Sequence, residues 1–256
     1  MFARTLAHLI VTLALATPAL AFDPAAMSDA ERAAFRAEVR AYLLENPEVL
    51  VEAIDVLDAR KAAAQAGNDT DLVGANGPAL FADGRSWNGG NASGDLTLVE
   101  FVDYRCSYCK RAHAEVAGLI ESDGNIRFIL KEFPILGPDS VLASRFAIAV
   151  RTLAGADIYW QMHDRLMTFR GDITQPALDR LASDLGLDPG AVATAMDDPA
   201  VMAEINANHA LGEALQIGGT PTFVLQDTMA RTPDRMLRGY VPLPDLSAML
   251  ADIRRQ

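Results

Sequence analysis

The 256-residue sequence is poor in several things at once: it holds two cysteines, three lysines (Lys61, Lys110, Lys131) and two tryptophans, and aromatics make up 7%. Positive charge is scarce as well, with 22 Lys and Arg against 34 Asp and Glu for a net −12. That balance argues against a general nucleic-acid binder, which needs a basic surface to neutralise phosphates. No internal repeat or low-complexity tract is visible, and beyond the N-terminal run no stretch reaches eighteen apolar residues. Half the residues are nonetheless hydrophobic and the mean hydropathy is +0.12, which excludes a wholly disordered or collagen-like chain. The length suits one domain with an insertion or two small domains.

The two cysteines are Cys106 and Cys109. Two cysteines placed at random in such a chain fall three apart only roughly 1% of the time, so the spacing is informative. Their meaning depends on compartment. Residues 1–21 carry Arg4, an apolar run from Leu9 to Ala16, Pro18, and Ala19-Leu20-Ala21 as an A-x-A site. This is the layout of a cleaved secretory signal peptide, with Phe22 as the mature start, and the run is too short for a comfortable membrane anchor. An exported, periplasmic protein without a transmembrane helix is expected. There a thiol pair is oxidised unless something keeps it reduced. A disulfide closing a two-residue loop removes little entropy from the unfolded chain, so chemistry explains the pair better than stability does.

Along the chain, Ser28-Asp29-Ala30-Glu31 is a capping box opening a helix through Phe35, Val39, Tyr42 and Leu43. Asn46-Pro47 reads as the cap and first turn of a second helix carrying Val49, Leu50, Ala53, Ile54 and Leu57, and both helices are expected to end before Gly67. Residues 22–66 thus form an N-terminal helical extension. Its apolar stripes either pack on the rest of the chain or make a homo-oligomer. Residues 67–95, rich in Gly, Asn, Asp and Ser, read as a linker with a short strand at Ala79-Leu80-Phe81. Residues 96–133 read as strand (Leu96–Val102), helix (Ser107–Glu121) and strand (Ile126–Phe133). Residues 138–216 are helical, broken at Gly155, Gly171, Gly186-Leu187-Asp188-Pro189 and Pro199. A hairpin (Thr222–Leu225, Met236–Tyr240) and a closing helix (Leu243–Arg255) follow.

A strand feeding Cys106-Ser107-Tyr108-Cys109 into a helix places Cys106 at the helix N-terminus, where free amides and the macrodipole favour a thiolate. Arg105, Lys110 and Arg111 add positive charge, and Cys109, one turn on, is the more buried and poorer nucleophile. A stabilised thiolate favours the reduced form and makes the disulfide oxidising. The pattern supports a redox dithiol. A Cu(I) or Zn site is the rival, with His113 one turn after Cys109, although structural zinc needs four ligands and no second Cys or His pair exists. His113 alone reads as a helix-surface residue. No resident metal or cofactor is expected.

The run Glu100-Phe101-Val102-Asp103-Tyr104-Arg105-Cys106-Ser107-Tyr108-Cys109-Lys110, with Gly218-Gly219-Thr220-Pro221-Thr222-Phe223 about 110 residues later, resembles the DsbA-like branch of the thioredoxin superfamily. The likeness covers 96–256. Tyr42-Leu43-Leu44-Glu45-Asn46-Pro47-Glu48 is similar to the extension of suppressor-of-copper-sensitivity thiol isomerases. The resemblance implies an α/β thioredoxin fold with a helical insertion at 138–216, preceded by the N-terminal helical extension. It implies a protein disulfide oxidoreductase acting on cysteine-containing exported proteins, with a membrane redox partner that reoxidises or reduces the dithiol. Thr220-Pro221 would be a cis-proline loop facing the dithiol, binding substrate together with Tyr108. Glu100 would be a buried acid shuttling the Cys109 proton, favoured over the alternative of a strand-edge glutamate pointing to solvent. Lys131-Glu132 would add charge nearby. Ser107-Tyr108 departs from the Pro-His pair of strong oxidases, which leaves oxidase, reductase and isomerase open. A non-catalytic chaperone using the apolar surface around Pro221 is the other alternative.

Overall fold

A computed structural model describes residues 26–256, so the expected signal peptide at 1–21 and the first residues of the extension lie outside the described part. The chain divides into two compact units, with the boundary between Ala59 and Arg60. In the first, α1 (Asp29–Glu45) starts at the expected capping box: the Ser28 amide donates to Glu31 Oε2 at 2.8 Å and the Glu31 amide to Ser28 Oγ at 3.4 Å. Asn46 does not cap the following helix with its side chain. It turns back, Nδ2 donating to the Tyr42 carbonyl at 2.9 Å, and closes α1 instead. No residue of α1 is buried, and Phe35, Val39, Tyr42 and Leu44 are exposed.

Helix α2 (Glu48–Ala75) runs on past Gly67, where the sequence suggested a linker. The reason is long-range. Asp69 is buried against Arg238 (Oδ1 to Nη2, 2.7 Å), Thr70 Oγ1 donates to the Asp234 carbonyl at 3.2 Å, and Val73 is fully buried. These anchors offset the poor helix propensity of Gly67, Asn68, Asp69 and Thr70. Ala79-Leu80-Phe81 is not a strand either: it lies in the short helix α3 (Gly77–Phe81). Two cations satisfy that helix's last carbonyls, Lys131 Nζ on Ala79 O at 2.7 Å and Arg127 Nη2 on Phe81 O at 2.8 Å. The strand of this region comes later, β1 at Trp87–Gly90.

β2 (Leu96–Val102), β3 (Ile126–Glu132), β4 (Thr222–Asp227) and β5 (Arg235–Arg238) complete a five-stranded mixed sheet in the order β1-β3-β2-β4-β5. β2 runs parallel to β3 and antiparallel to β4 at the centre, so all seven of its residues are buried. Alternation divides β2 and β3 between two cores. Leu96, Leu98, Val102, Ile126, Phe128 and Leu130 meet helices α4 (Ser107–Asp123), α5 (Pro138–Thr168), α6 (Gln175–Asp184), α7 (Pro189–Met196) and α9 (Leu243–Arg255). Val99, Phe101, Ile129 and Phe133 meet Val73, Leu80, Phe81 and the end of α8 (Pro199–Ala214). Helices α5 to α8 fill 138–214, as the expected insertion requires, and α5 bends at Gly155, whose φ of 83° only glycine adopts freely. Among the described residues no helix is long and apolar enough to cross a membrane.

Candidate active site

Cys106 is the N-cap residue of α4, with extended backbone (φ −73°, ψ 117°). The turn before it is fixed by Asp103, a fully buried carboxylate. Its Oδ1 accepts from the Arg105 amide at 2.8 Å and Ser140 Oγ at 2.8 Å, and its Oδ2 from the amides of Ile135 and Leu136 at 2.8 and 3.0 Å. One side chain therefore pins the β2–α4 loop to the β3–α5 loop. The sequence reading missed Asp103, and an acid closing an apolar strand just before the thiols was its only signal.

Across from α4, the Thr220–Pro221 bond is cis. The loop is held by Thr222 Oγ1 donating to Gly219 O at 2.9 Å and by the Gly239 amide donating to Pro221 O at 2.9 Å. In its thiol form Cys106 Sγ donates to the Thr220 carbonyl at 3.1 Å, so residues far apart in sequence meet at one sulfur. Both cysteines are free thiols; Cys106 is 7% exposed and Cys109 fully buried. The Cys109 thiol donating to Cys106 Sγ lowers the Cys106 pKa to about 5. Burial opposes this, while the Thr220 side chain and the amides of Cys109 and Tyr108 assist. Burial first, then the bond to Cys106 and the nearby Glu100 charge, push the Cys109 thiol far up. One sulfur is thus a thiolate at neutral pH and its neighbour is held as a proton donor.

Glu100 is buried, 3% exposed, at the centre of β2, which removes the solvent-facing alternative. Alternation sets it between Leu98 and Val102, on the sheet face that shares a core with Cys106 and Cys109. Burial, with the Cys106 charge second, raises its pKa to about 8. Tyr108 is 57% exposed beside the dithiol, its ring 6.4 Å from that of Tyr240.

Lys131 and Glu132 part ways because successive strand residues face opposite sides. Lys131 pairs with Asp83 at 2.7 Å under α3. Glu132 takes three hydroxyl donors: Tyr159 at 2.6 Å, Tyr104 at 2.7 Å and Ser144 at 2.7 Å. Tyr104 gives its proton to Glu132, so it accepts at 3.0 Å from His163 Nδ1, which fixes that neutral ring's tautomer. This network ties the residue two before Cys106 to α5. The sequence singled out Glu132 but none of its partners, which come from separate elements.

His113 is not on the surface: it is 7% exposed, with Nε2 2.9 Å from Asp164 Oδ1. Its helical position carries it between α4 and α5, against Trp160 and His163. Among the described residues no three His, Cys, Asp or Glu side chains converge where a metal ion could be held.

Residues 97–251 match the DSBA-like thioredoxin domain, and residues 31–64 the copper resistance protein ScsC N-terminal domain. A thioredoxin-like oxidoreductase from Silicibacter pomeroyi DSS-3 is 36% identical with a TM-score of 0.63, covering 70% of this chain and 98% of its own. ScsC from Proteus mirabilis, in a transitional conformation, is 27% identical with a TM-score of 0.62, covering 90% of this chain and 98% of its own. Among curated proteins, the Na(+)/H(+) antiporter NhaA of Herminiimonas arsenicoxydans is 29% identical over 167 residues, which is 65% of this chain and 25% of the antiporter. The chain spans only a fifth to a quarter of the length of the first curated relatives it matches. With the family match extending from β2 into α9, the chain belongs to the DSBA-like thioredoxin domain family.

Proposed function

We propose that this chain is an exported protein that exchanges disulfides with cysteine-containing proteins, with Cys106 as nucleophile and Cys109 as resolving thiol. The observation that carries the reading is the asymmetry of the pair. Cys106 sits at a helix N-terminus with its pKa drawn to about 5 by Cys109, the Thr220 side chain and the helix amides, while Cys109 is buried and kept protonated.

In the reducing direction, the Cys106 thiolate attacks one sulfur of a substrate disulfide. The substrate's S–S bond breaks, a mixed disulfide forms and the other substrate sulfur leaves as a thiolate. With Cys106 held in the mixed disulfide, its charge no longer keeps the proton on Glu100; Cys109 then gives its proton to the Glu100 carboxylate, attacks Cys106 Sγ and releases the second substrate thiolate. Two electrons pass to the substrate and the protein is left with the Cys106–Cys109 disulfide. The reverse sequence oxidises a substrate dithiol. A membrane redox partner restores the starting state and sets the direction. Thr220 and Pro221 offer backbone for a substrate strand beside the attacked sulfur, and Tyr108 offers an exposed ring.

Residues 22–66 serve as a self-association segment in this reading. Support comes from the exposed apolar side chains of α1 and from an apolar hollow of about 450 Å³ lined by Val39, Leu43, Leu44 and Leu50 among others.

The test is a Cys109→Ala variant incubated with glutathione disulfide. It should accumulate one glutathionyl group on Cys106, found by peptide mass mapping, because the resolving thiol is gone. An unmodified Cys106 would refute the assignment.

A further inference from the structure

Three of the cations near the dithiol, Lys110, Arg111 and Arg170, make no ion pair with a carboxylate among the described residues. Asp83 takes Lys131, Glu204 takes Arg151, Asp69 takes Arg238, and Asp95 with Asp123 takes Arg254. At the N-terminal end of α4, among the described residues, only Arg105 is neutralised, by Asp139 at 2.8 Å. Lys110 Nζ bonds the uncharged carbonyl of Phe169 at 2.7 Å, which sets its ammonium next to Arg170 in the chain. Burial first, then the neighbouring Arg170 and Arg105 charges, lower the Lys110 pKa, so these cations crowd one another.

Arg111 Cζ lies over the Tyr240 ring, 4.4 Å from its centroid. That ring is fixed by its hydroxyl donating to Glu115 Oε1 at 2.7 Å, and Glu115 Oε2 accepts the Leu243 amide at 2.9 Å. Tyr240 follows Gly239, whose amide bonds Pro221 O, so the guanidinium over its ring is tied to the cis-proline loop. A guanidinium has five N–H donors, so one held over a ring keeps donors for a carboxylate. Among the described residues, none of the acids near this end forms an ion pair with Lys110, Arg111 or Arg170. Asp139 is paired, Asp164 faces His113, Glu115 is shared between Tyr240 and Leu243, Asp103 is buried with four donors, and exposed Asp172 makes no ion pair among the described residues.

From this arrangement we infer that the preferred substrates are protein segments whose reacting cysteine is flanked by Asp or Glu, read by Lys110, Arg111 and Arg170. The inference rests on the thiol–disulfide reading above and names its substrate class. The overall charge of −12 would repel such a segment at long range. At about 0.1 M salt, however, the Debye length is about 10 Å, so the local cations govern the last approach.

The test uses the full chain, reduced, and two synthetic tetrapeptides that differ only in flanking Glu or Lys, each supplied as its symmetrical disulfide. Exchange rates are followed by chromatography. Each is divided by the rate of the same peptide disulfide with 2-mercaptoethanol, which removes the effect of flanking charge on the leaving thiol. At 0.1 M salt the acidic peptide should be favoured about tenfold, and the preference should collapse toward unity at 1 M. Arg170→Gln should reduce the preference about threefold at 0.1 M salt. Equal normalised rates, a preference for the basic peptide, or a preference insensitive to both salt and Arg170→Gln would overturn the inference while leaving disulfide exchange intact. If neither peptide nor 2-hydroxyethyl disulfide reacts, the exchange reading fails, and this inference with it.

Discussion

Replacing Glu100 by Gln tests the buried acid, and its size can be worked from the geometry. Glu100 lies on the central strand, 3% exposed, and burial with the Cys106 charge raises its pKa from 4.5 to about 8 in the reduced protein. A carboxyl group whose folded pKa lies above its unfolded value holds its proton in the fold over a window where the unfolded chain has lost it. Stability therefore falls as pH rises from about 4.5 toward 8. The cost is under ~1 kcal/mol at pH 5 and on the order of 3 kcal/mol at pH 7. Glutamine has nearly the same volume and cannot ionise, so it carries no such cost. Urea unfolding of reduced wild type and Glu100→Gln at pH 5 and pH 7 gives the double difference. The variant should gain about 2 kcal/mol on wild type between the two pH values. In the oxidised protein the gain should shrink, because Cys106 then carries no charge. Parallel pH dependence of the two reduced proteins would refute the argument, since it would mean that Glu100 is ionised alike in both states.

Lys131→Met should destabilise the protein by about 3 to 5 kcal/mol in urea unfolding, because it leaves Asp83 buried beneath α3 without its cation. Adding Asp83→Leu should recover most of that loss. Asp83 is held at about 2, its burial outweighed by bonds to Lys131, Ser86 and Arg85, so the stability it provides is present above about pH 4 and lost as pH falls toward 2. Gly212→Ala should cost about 1 to 3 kcal/mol, because a methyl group there collides with the Phe133 ring across α8; an unchanged urea midpoint would contradict that packing.

The parts legible in sequence were those with local causes. β2 reads from its apolar run and α1 from its capping box, and the closing helix runs over Leu243–Arg255 as the sequence indicates. The dithiol reads from its spacing, because a helix N-terminus after a strand is built by neighbouring residues. What escaped was long-range. Gly67 to Thr70 look like a linker until Arg238 and Asp234 are brought beside them, and Trp87–Gly90 looks like loop until β3 pairs with it. His113 reads as surface until α5 covers it, and Glu132 has no meaning before Tyr104, Tyr159 and Ser144 arrive from elsewhere. Thr220 and Pro221 were reachable only through resemblance, since no local rule joins them to a sulfur 114 residues away.

The most direct test of the central claim, that Cys106 reacts as a stabilised thiolate, is the thiolate absorbance near 240 nm as a function of pH in the reduced protein. One thiolate should appear with a midpoint at about 5 and vanish in Cys106→Ala, while Cys109 contributes none through neutral pH. A midpoint at the ordinary cysteine value of about 8.5, or a low-pH signal that survives removal of Cys106, would contradict the account.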